Sequence, residues 1–157
     1  MASTSDSAPS PWKRRGIILG LAAAGGAGLF ASRWYNVSAQ VTGTALSVQD
    51  AHAQANSGEV NLVDIRRPDE WARTGIGEGA LPIDMRREDF TDALLQATAG
   101  RTDARVALIC ARGVRSRKMT ERLTAAGFTQ IIDVPEGMLG SGAGPGWLRA
   151  KLPVVMP

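Results

Sequence analysis

The only cysteine of the chain is followed by residues that could hold an anion next to its sulfur. Cys110 ends the apolar run Val106 to Ile109, and the next six residues are Ala-Arg-Gly-Val-Arg-Ser. Gly113 permits a tight turn that points backbone N–H groups inward, while Arg112 and Arg115 supply charged, fork-shaped donors that match an oxyanion. A thiol in such surroundings ionises more easily, and the thiolate is its reactive form. The spacing therefore favours a nucleophilic cysteine over a small buried apolar one.

The elements around this loop would place it at an edge of a sheet. Val106 to Ile109 is short and apolar throughout, which is typical of a strand buried on both faces of a parallel sheet. Beyond the loop, Met119, Leu123 and Ala126 recur at helical spacing, and Gly127 stands at the stop position. The cysteine is thus predicted at the carboxyl end of a central strand, in a loop that opens a helix. Ligands of open α/β sheets bind at that place.

Three stretches of the chain resemble the signatures of one known family. Cys110 to Ser116, C-A-R-G-V-R-S, resembles the active-site loop of rhodanese-type sulfurtransferases, which is Cys-x-x-Gly-x-Arg followed by Ser or Thr. Leu62 to Trp71 is similar to the family's first signature, a strand followed by D-[VI]-R-x-P-x-E and an aromatic residue. Ile131 to Trp147 is similar to the last signature, and the resemblance covers roughly Ala45 to Pro153. Three motifs in the right order are a strong signal.

The resemblance implies both a fold and an activity. The fold would be a three-layer α/β domain over residues 41–157, with a central parallel sheet of about five strands between helices. The activity would be a two-step sulfur transfer, in which Cys110 takes a sulfane sulfur from an anionic donor such as thiosulfate and passes it to a thiol or cyanide. The resemblance implies that the donor and the persulfide are bound by the loop residues Ala111, Arg112, Gly113, Val114, Arg115 and Ser116.

The resemblance also implies what the other signature residues do. Asp64 and Arg66, an acidic and a basic residue at the end of the first strand, would hold the fold together and take no part in the chemistry. No metal or organic cofactor is needed for such a transfer. A single cysteine can form no disulfide within the chain and leaves no resolving thiol, so a sulfur loaded on Cys110 must leave to an external acceptor.

Other activities fit the residues less well. Cysteine phosphatases of related shape carry Cys-x5-Arg, whereas here Arg115 stands five positions after Cys110 and Ser116 six. The smaller ring favours sulfane sulfur over phosphate. A sulfur carrier or protein-interaction module with little turnover stays open as an alternative. His52, the only histidine, is predicted on the solvent-exposed side of a helix, which leaves a Cys–His protease unsupported.

Composition and charge set further limits. With 157 residues and 44% hydrophobic content, the chain can build one well-packed domain. Its net charge of +3 comes from the part before Gln40, where four Lys and Arg face one Asp. From Gln40 onward 14 basic residues balance 14 acidic ones. The folded part therefore has no net electrostatic attraction to nucleic acid.

The first 39 residues are predicted to direct export. Lys13-Arg14-Arg15 precedes the apolar stretch Gly16 to Ala31, which is typical of a signal peptide. Val37-Ser38-Ala39 provides small residues for cleavage before Gln40. The alternative is an uncleaved membrane anchor through residues 16–35, with aromatic residues at the interface. Either way the domain is expected in the periplasm, soluble or held at the membrane.

The remaining patterns predict the order of elements along the domain. Helices are expected over Val48–Ala55 and Glu88–Ala99, strands over Val60–Ile65 and Gln130–Val134, and an edge strand within Leu81–Asp84. Trp71 is expected to be packed, and a short closing helix follows Trp147. The glycine-rich stretch 136–147 is longer than the family pattern, and it is either a mobile lid or a flexible connection.

Overall fold

The structure is a computed structural model that describes residues 44–157 of the chain. The predicted export signal or anchor, residues 1–39, lies outside the described residues. Within residues 44–157, no helix combines the length and the apolar character that crossing a membrane requires.

Helices and strands alternate through most of the described part, as the sequence pattern predicts. The four helices are α1 (Val48–Asn56), α2 (Pro68–Thr74), α3 (Phe90–Ala97) and α4 (Val114–Ala125). The six strands found in residues 44–157 are β1 (Asn61–Asp64), β2 (Ile76–Gly77), β3 (Leu81–Pro82), β4 (Val106–Ile109), β5 (Ile131–Val134) and β6 (Val154–Val155).

Four strands form the main sheet, in the order β3-β1-β4-β5, and every neighbouring pair is parallel. The predicted α/β fold with a central parallel sheet is therefore confirmed, with four strands where about five were expected. On the free side of β5, the chain at Ala45 makes a single parallel bridge to Asp133 and no strand. β4 is central, and all four of its residues are buried.

The two faces of β4 pack against different layers. Val106, Leu108 and Cys110 belong to a core that includes side chains of α3 and α4. Ala107 and Ile109 belong to a second core, which includes α1 and the segment that contains Trp147. This alternation follows from the period of two in a strand. It places Cys110 on the face that α4 covers.

α4 begins earlier than the sequence pattern indicates. The predicted loop ran to Ser116, but the helix starts at Val114, directly after Gly113 in the left-handed conformation (φ 80°). The reason is that Gly113 can turn the chain in one step, whereas a residue with a Cβ would be strained there. As a result, Val114, Arg115 and Ser116 form the first helical turn, whose N–H groups have no partner inside the helix.

The end of the chain also differs from the prediction. After Trp147 the backbone makes turns and no helix, and Val154–Val155 pairs antiparallel with β2 as strand β6. The Glu78 N–H donates to the Pro153 carbonyl oxygen at 3.0 Å, which continues this pairing. The small second sheet fixes the closing segment to the loop after α2.

Asp64 and Arg66 form a buried ion pair at the end of β1. Arg66 Nε and Nη2 donate to the two Asp64 oxygens at 2.9 and 2.7 Å, and both side chains are almost fully buried. The guanidinium also donates to the Thr74 hydroxyl at 2.7 Å and to the Gly75 carbonyl oxygen at 2.6 Å. Arg66 therefore joins the sheet to the end of α2.

Candidate active site

Cys110 lies at the carboxyl end of β4, inside the turn that leads into α4. Cys110 as a whole residue is only 1% exposed to solvent. The sulfur accepts a hydrogen bond from the Gly113 N–H at 3.2 Å, and the Ser116 hydroxyl oxygen lies 3.6 Å away. The structure thus brings together the start, the middle and the end of the predicted loop around one sulfur atom.

The carbonyl groups of Cys110 and Ala111 accept hydrogen bonds from residues outside the loop. The Cys110 and Ala111 carbonyl oxygens accept hydrogen bonds from the N–H groups of Met138 and Leu139, at 2.8 and 2.9 Å. In a trans peptide the N–H points opposite to the carbonyl, so the next N–H groups, those of Ala111 and Arg112, point away from residues 138–139. These two N–H groups have no acceptor among residues 44–157. They are free to bind a ligand.

The first turn of α4 adds further donors. The N–H groups of Val114, Arg115 and Ser116 also have no acceptor among residues 44–157, as is usual at a helix start. A helix N-terminus carries partial positive charge and favours anions. Together with the Gly113 N–H that binds the sulfur, these groups give the loop several N–H donors with no partner among residues 44–157, an arrangement suited to an anion.

The glycine-rich stretch packs against the side of the loop on which its carbonyl groups lie. Gly137 has a φ of 67°, and a Cβ on it would lie 2.6 Å from the Ala111 carbonyl oxygen and 2.7 Å from that of Cys110. Glu136 is buried and accepts the N–H groups of Val48 and Gly146, at 3.2 and 3.1 Å. Residues 136–140 are thus packed against the loop, whereas residues 142, 143 and 145 of the same glycine-rich stretch are exposed.

Gly137→Ala tests this support. Because the substitution combines an unfavourable φ with a collision against two carbonyl groups, we expect the free energy of unfolding to fall by about 2–4 kcal/mol. Gly100→Ala is the matched control, since Gly100 has a similar φ of 78° but no atom within 4 Å of a new Cβ. It should cost only about 1–2 kcal/mol. If urea unfolding shows the same loss of unfolding free energy for both variants, the proposed packing role is contradicted.

Arg115 is held by a carboxylate from another part of the chain. Its two terminal nitrogens donate to the two oxygens of Glu70, each at 2.7 Å. This hydrogen bond is the main reason why the pKa of Glu70 is lowered to about 2. The pKa of Arg115 is raised, first by Glu70 and also by the nearby Cys110. Arg115 therefore has a fixed position beside the sulfur.

Arg112 differs from Arg115 in its surroundings. Its side chain is exposed, and it forms no ion pair within the described residues. The sequence pattern assigned the same role to both arginines, that of charged donors to an oxyanion. In the structure, Arg112 is the free cation of the loop. Arg115 forms a bidentate ion pair with Glu70, which largely neutralises the charge of Arg115.

The pair should make stability depend on pH. The pKa of Glu70 falls from 4.5 to about 2 on folding, so the folded protein resists protonation of this group. The stabilisation is fully present above about pH 4.5 and is lost as the pH falls toward 2. We expect Glu70→Gln to be less stable than the native protein at neutral pH by on the order of 2 kcal/mol. Urea unfolding at several pH values should show this gap closing in acid; a constant gap would contradict the assignment.

His52 lies away from the cysteine. It packs edge-on against Trp147, with ring centroids 5.4 Å apart, on the opposite face of the sheet from Cys110. Its Nε2 lies 2.9 Å from Glu78 Oε2 and 3.0 Å from Asn56 Nδ2. The predicted solvent exposure is wrong, since the side chain is only 19% exposed.

One carboxylate near the site was not predicted from the sequence. Asp133 lies on β5, where burial raises its pKa, and its Oδ1 atom is buried with no hydrogen-bond partner among residues 44–157. A lone acidic residue within the apolar run of Ile131 to Val134 was the signal that could have identified it. Among residues 44–157, no cluster of three or more His, Cys, Asp and Glu side chains is arranged to hold a metal ion.

Comparison with known proteins agrees with this arrangement. The tRNA uridine(34) hydroxylase of Legionella pneumophila (strain Paris) is 27% identical over 99 residues, which are 62% of this chain and 39% of the hydroxylase. The chain thus spans about two fifths of the length of this relative. The match is to part of a longer protein.

Solved structures show the same fold. The polysulfide-sulfur transferase homodimer from Wolinella succinogenes is 22% identical, with a TM-score of 0.55 and coverage of 85% of this chain and 88% of that one. A rhodanese-like domain protein from Staphylococcus aureus is 27% identical, with a TM-score of 0.51 and coverage of 64% and 92%. The family model described as the rhodanese-like domain matches residues 47–140, more than half of the chain. The chain belongs to the rhodanese-like domain family.

Proposed function

We propose that the protein transfers a sulfane sulfur from an anionic donor, such as thiosulfate, to a thiol or cyanide through a persulfide on Cys110. The observation that carries this proposal is the hydrogen bond from the Gly113 N–H to the Cys110 sulfur, in a loop whose other N–H groups have no acceptor among residues 44–157. Membership of the rhodanese-like family supports the same chemistry.

The first step would load the enzyme. The Cys110 thiolate attacks the outer sulfur of the donor, a new S–S bond forms, and the old S–S bond breaks with its electron pair leaving on sulfite. The outer sulfur of the resulting persulfide is anionic. The N–H groups of Ala111, Arg112, Val114, Arg115 and Ser116 are the donors that would surround it.

The second step would unload it. A thiolate or cyanide attacks the outer sulfur, and Cys110 leaves as the thiolate, so that electrons balance with no added oxidant or reductant. The exposed cation of Arg112 would attract the anionic donor, and its charge is not shared with any carboxylate of the described part. Arg115 contributes its backbone N–H, while Glu70 largely neutralises the charge of its side chain.

Intact-mass spectrometry tests the proposal directly. Incubation with thiosulfate should add the mass of one sulfur atom, and cyanide should remove it as thiocyanate. A stable added sulfur without turnover would instead favour the carrier module. Hydrolysis of p-nitrophenyl phosphate without any sulfur loading would favour a phosphatase. The Cys110 variant that completes this test is described in the Discussion.

We also propose that the domain acts after export to the periplasm. This rests only on the composition of residues 1–39, where a basic start precedes an apolar stretch and small residues. Amino-terminal sequencing of the protein recovered from a periplasmic extract tests it, because cleavage near Ala39 would leave Gln40 as the first residue. Recovery from the membrane fraction with the full chain would support the anchor.

A further inference from the structure

Glu70 brings a negative charge from α2 to the first turn of α4. Its two carboxylate oxygens accept hydrogen bonds from both terminal nitrogens of Arg115, each at 2.7 Å. Arg115 directly precedes Ser116, whose hydroxyl oxygen lies 3.6 Å from the Cys110 sulfur. Only 13% of the Glu70 side chain and 29% of the Arg115 side chain are exposed. The pair is therefore partly shielded from solvent ions, which would otherwise screen its effect on an anion at the loop.

The geometry of the pair determines what Arg115 can offer to a ligand. A guanidinium recognises an oxyanion best through two parallel N–H···O bonds. Glu70 already occupies the fork between the two terminal nitrogens of Arg115. An oxyanion that used the same fork would have to displace the carboxylate, and one that bound beside it would be repelled by the carboxylate charge.

The Glu70 carboxylate is also held by the start of its own helix. Its Oε2 atom accepts the Arg67 N–H at 3.1 Å and lies 3.4 Å from Arg67 Nε. Displacing it from Arg115 would therefore break a bidentate pair that is anchored at both ends. Because its pKa is lowered to about 2, Glu70 is ionised at any pH near neutral, and its charge is a constant feature of the site.

The neighbouring arginines differ in whether a carboxylate opposes them. On α2 and just before it, Arg73 and Arg67 both pair with Asp69 at 3.1 Å, and all three side chains are exposed. In the loop, Arg112 is exposed and forms no ion pair with the described residues. With Arg115 paired, Arg112 is the one loop arginine whose charge no carboxylate of residues 44–157 opposes.

We infer that Glu70 is a specificity-determining residue: by pairing with Arg115 it leaves the loop one unpaired arginine, so that the site favours sulfur donors with one negative charge over donors with two. This inference rests on the proposed sulfur transfer at Cys110 and names its donor class. The favoured donors are monoanions that carry a sulfane sulfur, such as persulfides and thiosulfonates. Thiosulfate, a dianion, is a donor of lower affinity. The discrimination acts on binding alone and changes no bond.

Two donors that differ by one charge test this preference. Thiosulfate and methanethiosulfonate both transfer an outer sulfur, and a methyl group in the second replaces an anionic oxygen of the first. Attack by the Cys110 thiolate forms the same persulfide from either, and the electron pair of the broken S–S bond leaves on sulfite or on methanesulfinate. Because the two donors differ in intrinsic reactivity, the informative quantity is the change in the ratio of their kcat/KM values between variants.

Glu70→Gln should shift this ratio toward thiosulfate. Glutamine has the shape of glutamate and can still accept a hydrogen bond from Arg115, but it no longer opposes the arginine's charge. We expect kcat/KM for thiosulfate to rise by about three- to tenfold relative to that for methanethiosulfonate, mainly through a lower KM. If the pair only supported the fold, both donors would lose activity equally and the ratio would not change.

Asp69→Asn is the matched control. It removes the same charge from the adjacent position of α2, but Asp69 pairs with Arg67 and Arg73 and its side chain is 53% exposed. The donor ratio of this variant should stay within about twofold of the native value. An unchanged ratio in Glu70→Gln, or an equal change in Asp69→Asn, overturns the inference.

Two further measurements keep the result interpretable. If Glu70→Gln does not fold, Glu70→Ala removes the same charge and should shift the ratio in the same direction; a native ratio in that variant overturns the inference. Sulfate is a dianion without a sulfane sulfur, so its binding reports charge selectivity without any sulfur transfer. Titration of sodium sulfate into the full chain at constant ionic strength, followed by the amide NMR signals of residues 110–116, should show about three- to tenfold tighter binding to Glu70→Gln.

The two readouts separate this inference from the proposed function. Tighter sulfate binding by Glu70→Gln, without sulfur loading of the native protein from either donor, would support the role of Glu70 while refuting sulfur transfer. Sulfur loading of the native protein, with equal sulfate affinities and an unchanged donor ratio in Glu70→Gln, would support sulfur transfer while overturning the role of Glu70.

Discussion

Cys110→Ser should reduce sulfur transfer to the background rate. A serine hydroxyl is not ionised near neutral pH and forms no exchangeable persulfide, so neither proposed step can proceed. We expect thiocyanate formation from thiosulfate and cyanide to fall by at least about 10³-fold. Intact-mass spectrometry should show no added sulfur after incubation with thiosulfate.

The same variant is its own structural control. Serine is close in size to cysteine, and its hydroxyl can take the place of the sulfur beside the Gly113 N–H and the Ser116 hydroxyl. The N–H ring should therefore stay in place, and urea unfolding should change by no more than about 1 kcal/mol. Retained thiocyanate formation in a correctly folded Cys110→Ser protein would refute the persulfide mechanism.

The largest loss of stability is expected from Arg66→Met. The substitution keeps an apolar stem of similar length but leaves the Asp64 carboxylate buried without its partner, and it frees the Thr74 hydroxyl and the Gly75 carbonyl. Breaking one side of a buried pair costs about 3–5 kcal/mol. Urea unfolding of the native and variant proteins measures the difference.

An exposed pair of the same residue types is the control for this loss. Arg101 and Asp103 are two positions apart, as Arg66 and Asp64 are, but both side chains are 65% exposed. Arg101→Met should therefore change the free energy of unfolding by no more than about 1 kcal/mol. A similar small effect for Arg66→Met would show that the buried pair is not what joins β1 to α2.

The parts of the fold predicted from the sequence depend on short-range patterns. The apolar run of β4 and its burial follow from four consecutive residues. The serine cap at Ser47 follows from a serine three residues before Asp50, whose N–H it accepts at 3.1 Å. Cys110 and Gly113 lie within one turn, so their spacing alone predicts that the loop closes around the sulfur.

The features that were missed depend on contacts between distant residues. Glu70 stands 45 positions before the arginine that it binds, and no local pattern states that Arg115 is paired whereas Arg112 is free. The support by residues 136–140 needs the return of the chain beside β4. Strand β6 exists only because the last residues meet β2. Such contacts depend on tertiary packing, which cannot be predicted from the local patterns of a single sequence.

The hydrogen bonds from Met138 and Leu139 to the Cys110 and Ala111 carbonyl groups have one more consequence. They orient the peptide groups of the loop in the absence of any ligand, so the proposed loading and unloading would start from an ordered backbone. Such preorganisation means that the affinity for an incoming anion is set largely in advance, by residues that never touch it. Substitutions at residues 136–140 could thus retune the chemistry of Cys110 while every residue of its own loop stays unchanged.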